Sequence, residues 1–329
     1  MMQVTPRRGW LFSGALSFKG ERTARLLPQC LDAQLPGQLT SRVQGSFCLP
    51  ARIKLAHRPI ITLTTDFGTN DHFVGAVKGV ILDIVPEAAI VDISHAVQAF
   101  DVLDGAIAIS QTYSYFPTGT VHMVVVDPGV GTTRRPIIAS SDGYHFVAPD
   151  NGVLSMVYAK EERIHVRHVT SDHYFHQPVS NTFHARDVFA PVAAYLAKMV
   201  DSHKFGDEIE DYVKFAAPKP KPTGENKLRA VVLKVDRFGN LITNITPDDA
   251  PALFSGKAAF KIVVGSKEIT GIRSAYAEGG PGEVFGILGS MGYLEIVANR
   301  APAAQLTGAG KGAEVTVQLG GATAAGKGA

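Results

Sequence analysis

From Pro59 onward the chain alternates short apolar runs with amphipathic stretches in a regular rhythm. IITLTT is a β-branched run that predicts a strand. DHFVGAVKGVILDIV places Phe73, Val74, Val77, Val80, Ile81 and Ile84 on one helical face before Pro86 ends the helix. AAIVDIS predicts a second strand, DVLDGAIAISQTYSYF a second helix ended by PTGT, and TVHMVVVD a third strand. Strand and helix units of this length build an α/β domain with a mainly parallel sheet, whose ligands sit beyond the carboxyl ends of the strands. Asp66 and Asp127 fall at two such ends. PIIASSDGYHFVAPDNG continues the sheet through the hairpin chemistry of Asp142-Gly143, and DVFAPVAAYLAKM closes the region with a helix.

The pattern then changes. AAPKPKPTGEN, residues 216–226, alternates prolines with lysines and predicts a semi-rigid linker. Beyond it, RAVVLKVDRFGNLITNI, AFKIVVGSKEITGI and EVFGILGSMGYLEIVAN are short strands with Gly-Ser and Gly-Asn turns, which predict a smaller all-β, barrel-like C-terminal domain. The expected organisation is an α/β domain over 59–215, the linker over 216–226 and a β domain over 227–319. A low-complexity Gly/Ala tail follows over 320–329.

Composition narrows the function classes. A chain of 329 residues, 45% hydrophobic, has enough apolar material for two real cores. No apolar run reaches the roughly 18 residues of a membrane span. The net charge of +2 does not point to nucleic acid, because the basic excess lies in residues 1–58, where Glu21 and Asp32 are the only acids. Both cysteines, Cys30 and Cys48, are there too, so the rest of the chain has neither a disulfide framework nor a Cys-based zinc site. Arg7 and Arg8 before WLFSGALSF resemble the start of a signal peptide, but no small-residue cleavage site follows cleanly. Residues 1–58 therefore read as a disordered or non-native basic extension of a cytoplasmic protein.

Three motifs carry chemistry. In TDFGTND, Asp66 follows a strand directly and suits ribose hydroxyls, the plainer alternative being a residue that shapes the turn before a helix capped by Asn70 or Asp71. In VDPGVGTTRR no GK[ST] follows the glycines, so a Walker-type phosphate loop is excluded. An Asp127 at the end of a buried strand needs a partner, and Arg134, seven residues on across a stiff turn, can supply it. NTFHARDVFAP adds His184 just before a helix. His173 and His176 lie nearby without metal-ligand spacing. Asp127, Arg134 and His184 together could orient and deprotonate a water, with Asp127 or His184 as the base.

TDFGTND, FVGAVKGVI, VDISH, DVLDGA, VVVDPGVGTTRR, FVAPDNG, NTFHARDVFAP, VDRFGNLITNI and GSMGYLEIVAN together resemble the S-adenosyl-L-methionine hydroxide adenosyltransferase family, relatives of the fluorinase and chlorinase enzymes. The likeness runs from about Pro59 to Leu319. It implies hydrolysis of S-adenosyl-L-methionine to adenosine and L-methionine by water or hydroxide at the ribose C5′, with no metal and no other cofactor. It also implies a homotrimer whose pocket forms between the N-terminal domain of one subunit and the C-terminal domain of its neighbour. Nucleic acid and membrane are not implied partners.

By the same resemblance Asp127, Arg134 and His184 are the catalytic group and Asp66 the ribose-binding acid. Asp236 and Asn240 would hold the methionine amino and carboxylate groups, on a loop one residue shorter than in the halogenating relatives. Phe100 and Tyr276 would be pocket aromatics, Tyr276 beside adenine, and Ser290 a contact from the C-terminal domain. The fluorinase has a tyrosine at the Asp127 position and a halide-contacting serine at the Ala185 position. Two other readings are a binding protein that senses S-adenosyl-L-methionine or adenosine without turnover, and a halide-using, chlorinase-like transferase.

Overall fold

The computed structural model describes residues 58–256 and 259–320. Apart from Arg58 and Gly320, the basic extension and the Gly/Ala tail lie outside the described residues.

The first sheet has six strands: β1 (Ile60–Thr65), β2 (Ala89–Ser94), β3 (Val121–Val125), β4 (Pro136–Ser140), β5 (His145–Pro149) and β6 (His165–His168). Their spatial order is β2-β1-β3-β5-β4-β6. β1 runs parallel to β2 and β3, and β3 parallel to β5. β4 is antiparallel to both neighbours, joined to β5 by the Asp142-Gly143 turn. Central β3 is buried at every residue, which is why its sequence is a continuous apolar run rather than an alternating one. Its one polar member, His122, meets the Thr62 hydroxyl through Nδ1 at 2.7 Å, and burial pushes its pKa down to about 3. It is a neutral core histidine.

Helices cover both faces. Helices α1 (Phe73–Ile84) and, later in the chain, α4 (Ala190–Ala197) pack Val77, Ile81 and Val192 onto one face with Phe189. Helices α2 (Val102–Ser110) and α3 (Ser155–Tyr158) bring Ile109 and Val157 onto Val124 and Phe146 on the other. Asp101 caps α2, its side chain accepting the Asp104 N–H at 3.1 Å.

The second sheet contains β7 (Lys221–Gly224), β8 (Lys227–Val235), β9 (Leu241–Thr243), β10 (Phe260–Val264), β11 (Lys267–Ile269), β12 (Ile272–Arg273), β13 (Val284–Leu288), β14 (Leu294–Ala298) and β15 (Glu314–Leu319). Among the described strands only the β12–β13 pair is parallel, and the sheet curls into a half-barrel around Val232, Leu241, Ile262, Leu294, Ile296 and Val315. The stretch read as a linker is partly strand: β7 lies within it and pairs with β8 alone. An edge strand tolerates Pro222 because only one side of it needs ladder hydrogen bonds.

Candidate active site

The order of the first sheet locates the site. From β1 the chain crosses to β2 on one side and then returns to β3 on the other, so a crevice opens between the carboxyl ends of β1 and β3. The register pairs Thr65 with Val125, which brings Asp66 and Asp127 out close together at that edge.

After Asp127 the backbone makes two successive turns, with the Val130 N–H bonding the Asp127 carbonyl and the Thr132 N–H bonding the Gly129 carbonyl. These turns return Arg134 over Asp127. Arg134 Nε and Nη2 donate to Asp127 Oδ1 and Oδ2 at 3.0 and 2.6 Å, a bidentate pair. Both side chains are buried, 9% and 5% exposed. The next residue points elsewhere: Arg135 binds Asp150 and Asp211. Asn151 of FVAPDNG donates to the Val126 carbonyl at 2.8 Å, bracing the residue before Asp127.

His184 arrives from the opposite wall, at the head of a π-helical turn, Ala185–Phe189, that runs into α4. Such turns replace i→i+4 bonds with i→i+5 bonds and gather at functional sites. Fully buried Asp187 fixes the approach by accepting from the Ser180 N–H and from Arg186 Nε and Nη2. Arg134 Nη2 then donates to His184 Nδ1 at 2.7 Å. A guanidinium can only donate, so Nδ1 is the acceptor and the neutral ring carries its proton on Nε2.

Asp66, Asp127 and His184 line a cavity of about 290 Å³ together with Phe100 and Ala185. Phe67, Phe73 and Phe183 form its apolar wall, the Phe73 and Phe183 rings meeting edge-on at 5.3 Å. Asp66 Oδ2 accepts the Phe100 N–H at 2.8 Å, while the Phe100 side chain stays largely exposed at the rim. The cavity is therefore apolar with two carboxylates, and the nearest guanidinium already faces one of them. It suits a cation flanked by hydrophobic groups.

Burial and the Arg134 guanidinium hold the His184 pKa below the ordinary imidazole value of 6.5. Protonation would put an N–H on Nδ1 against Arg134. Because the folded-state pKa is depressed, what the neutral ring contributes is intact above pH 6.5 and is lost as pH falls through the lower folded value. The acid limb of kcat/KM should accordingly lie below pH 6.5. A pH–rate profile checks this, and a limb at or above 6.5 would contradict the Arg134 to His184 bond.

A second cavity, about 480 Å³, lies on the half-barrel. It is lined by Asn240 and Tyr276 with Phe238, Asn299, Arg300 and Pro302 among its neighbours. Asp236 shapes its rim loop, accepting from the Phe238 and Asn240 N–H groups and from Asn240 Nδ2. Ser290 sits in the turn between β13 and β14 and lines neither cavity.

Residues 61–206 match the SAM hydroxide adenosyltransferase N-terminal domain, and residues 230–316 match the C-terminal domain of the same name. The chain belongs to the SAM hydroxide adenosyltransferase family. It is 38% identical over 209 residues to the (R)-S-adenosyl-L-methionine hydrolase of Methanocaldococcus jannaschii, covering 62% of this chain and 73% of that protein. The namesake from Salinispora tropica is 33% identical over 275 residues, covering 81% of this chain and all of the relative. Among solved structures, an uncharacterized conserved protein from Thermotoga maritima superposes with a TM-score of 0.73 at 35% identity, over 78% of this chain and 99% of that one.

In this member of the SAM hydroxide adenosyltransferase family the candidate residues thus divide into two groups. Asp127, Arg134 and His184 are in direct contact, and Asp66 and Phe100 share the first cavity with two of them. Asn240 and Tyr276 line the other, over the loop that Asp236 holds. The two cavities have no lining residue in common. The helical period places Phe73 on the apolar face of α1. It is 37% exposed, because the first residue of the helix projects past the sheet and into the first cavity wall. Phe67 and Phe183 are further wall residues that only their places in TDFGTND and NTFHARD could have indicated.

Proposed function

We propose that the chain hydrolyses S-adenosyl-L-methionine to adenosine and L-methionine by attack of water at the ribose C5′. The observation that carries this reading is the Arg134 fork, which grips Asp127 by two bonds and His184 by a third at the edge of an apolar cavity. With Nδ1 engaged and the proton on Nε2, His184 is a donor toward the cavity, and the base is Asp127. Water, oriented by His184, gives its proton to the Asp127 carboxylate as its oxygen bonds to C5′. The C5′–S bond breaks with its electron pair going to sulfur. The leaving group departs as a neutral thioether and needs no acid, so the protein's tasks are alignment, desolvation and proton removal.

Asp66 is assigned to the ribose hydroxyls and Phe100 to the cavity rim. Asp236 and Asn240 are assigned to the amino acid end, Tyr276 to adenine and Ser290 to a peripheral contact. The first cavity is at the lower end of the roughly 300–1,000 Å³ usual for small-molecule sites, and the second group of residues opens elsewhere on the chain. A homotrimer, in which one subunit's first cavity faces a neighbour's second, would unite them, and mass determination in solution tests that assembly. The relatives' name specifies the (R) form, and we extend this preference to the sulfonium configuration of the substrate here.

Water is favoured over halide because a carboxylate at the attacking position repels an anion and Ala185 offers it no side-chain donor. A sensor without turnover would have no use for the Asp127–Arg134–His184 contacts. Chromatography of products from each sulfonium epimer is the test. Adenosine and methionine, formed faster from the (R) epimer, are expected. Binding without adenosine formation would overturn the reading.

A further inference from the structure

Helix α2 stands between the two halves of the chain. One side of it, with Leu103, Ala106 and Ile107, packs on Val231 and Leu233 of β8 and on Met291 and Tyr293. On another side Gly105 lets the helix close on the residue before Asp127, since a Cβ there would lie 2.9 Å from Val126 Cγ2. Two ion pairs clamp its amino end to the half-barrel: Asp104 with Lys234 of β8, and Asp101 with Lys311. Among the described residues these are the salt bridges that join the two halves. The Asp104 side chain is nearly buried, 7% exposed.

The same two acids shape the loop before α2. Asp104 Oδ2 accepts the Gln98 N–H at 2.9 Å, and the Asp101 N–H bonds the Gln98 carbonyl at 3.0 Å. Phe100 lies inside that loop at φ 65°, in the left-handed region, with its N–H on Asp66. An aromatic residue does not hold this conformation unaided. Such strain persists only where the surroundings over-determine the backbone, as they do at ligand clamps.

We propose that Asp104–Lys234, seconded by Asp101–Lys311, is a positioning clasp that holds the Gln98–Asp101 loop so that Phe100 and Asp66 stay set for substrate. Neither lysine faces the first cavity, and both act through the loop. Because Lys234 lies near the end of β8, two residues before Asp236, the clasp also ties the first cavity to the loop of the second. This rests on the proposed hydrolysis.

The test is the full-length D104N/K234M variant. Asparagine keeps an acceptor for the Gln98 N–H, methionine keeps the apolar stem, and no buried charge is left unpaired. Releasing the strained loop should deplete the binding-competent state, raising KM by about ten-fold while kcat changes less than about three-fold. Adenosine affinity, measured by calorimetry, should weaken in parallel. Lys234→Arg, which preserves the pair, should stay within about three-fold of wild type on both measures. A lower melting temperature with unchanged KM and adenosine affinity would reduce the clasp to a structural brace and overturn the proposal, as would a loss confined to kcat. If the double variant does not fold, Lys311→Met, which releases the outer pair alone, should raise KM in the same direction, and an unchanged KM would overturn the clasp. Failure of the wild type to form adenosine would instead count against the hydrolase reading, and adenosine calorimetry would still decide the clasp.

Discussion

Asp127→Asn should lower kcat by about 10²–10⁴-fold, the range for removal of a general base, while adenosine affinity stays within a few-fold of wild type. Asparagine retains one acceptor for the Arg134 fork but has no oxygen basic enough to take a proton from water. Asp127→Ala is predicted to behave worse in a second way. It leaves Arg134 buried without its carboxylate, and breaking a buried pair costs roughly 3–5 kcal/mol of stability. Comparing the two variants by turnover and by melting separates the base from the ion pair. Wild-type turnover in Asp127→Asn would remove Asp127 from the chemistry, and His184 would then have to be the base despite its engaged Nδ1.

Gly131→Ala should be the most damaging single methyl addition near the site. Gly131 lies at φ 78°, where an L side chain costs about 1–2 kcal/mol, and its Cβ would fall 2.2 Å from the Asn181 carbonyl oxygen. The contact sets a Cβ fixed by its own backbone against a backbone oxygen, so nothing can rotate away. Relief requires separating the DPGVG turn from the loop that delivers His184, the two walls Arg134 bridges. We expect a loss of more than about 2 kcal/mol in denaturant unfolding and at least a ten-fold fall in kcat/KM, because small misplacements at a reacting centre are expensive. Gly129→Ala is the control. Its Cβ would meet Arg134 Cγ at 3.4 Å, Thr132 Oγ1 at 3.5 Å and Asp127 Oδ1 at 3.9 Å, side-chain contacts at ordinary van der Waals distance, and the effect should be small. Equal behaviour of the two variants would mean that the turn does not set the geometry.

Much of this was legible in the sequence, for identifiable reasons. The buried strands of the first sheet are apolar and β-branched, α1 keeps a helical period, and Asp66 and Asp127 stand where such runs end. A carboxylate after a buried strand demands a partner, and that demand pointed to Arg134. Conformation was harder to read. Phe100 has the left-handed φ of a glycine, yet nothing about its neighbours in the chain signals it. The π turn at Ala185–Phe189 has the composition of any helix start. β7 was hidden among prolines, because edge pairing tolerates what a central strand would not. The division of the candidate residues between two cavities follows from tertiary packing and from no local motif. The same holds for Lys234 and Lys311, whose partners lie 130 and 210 residues away.

In the proposed reaction water, directed by Asp127 and His184, attacks the ribose C5′. The most direct measurement is hydrolysis of S-adenosyl-L-methionine in ¹⁸O-enriched water containing excess chloride, with products resolved by mass spectrometry. Adenosine labelled in its 5′-hydroxyl is expected, with L-methionine as the co-product. Unlabelled adenosine, or 5′-chloro-5′-deoxyadenosine as the major product, would contradict it.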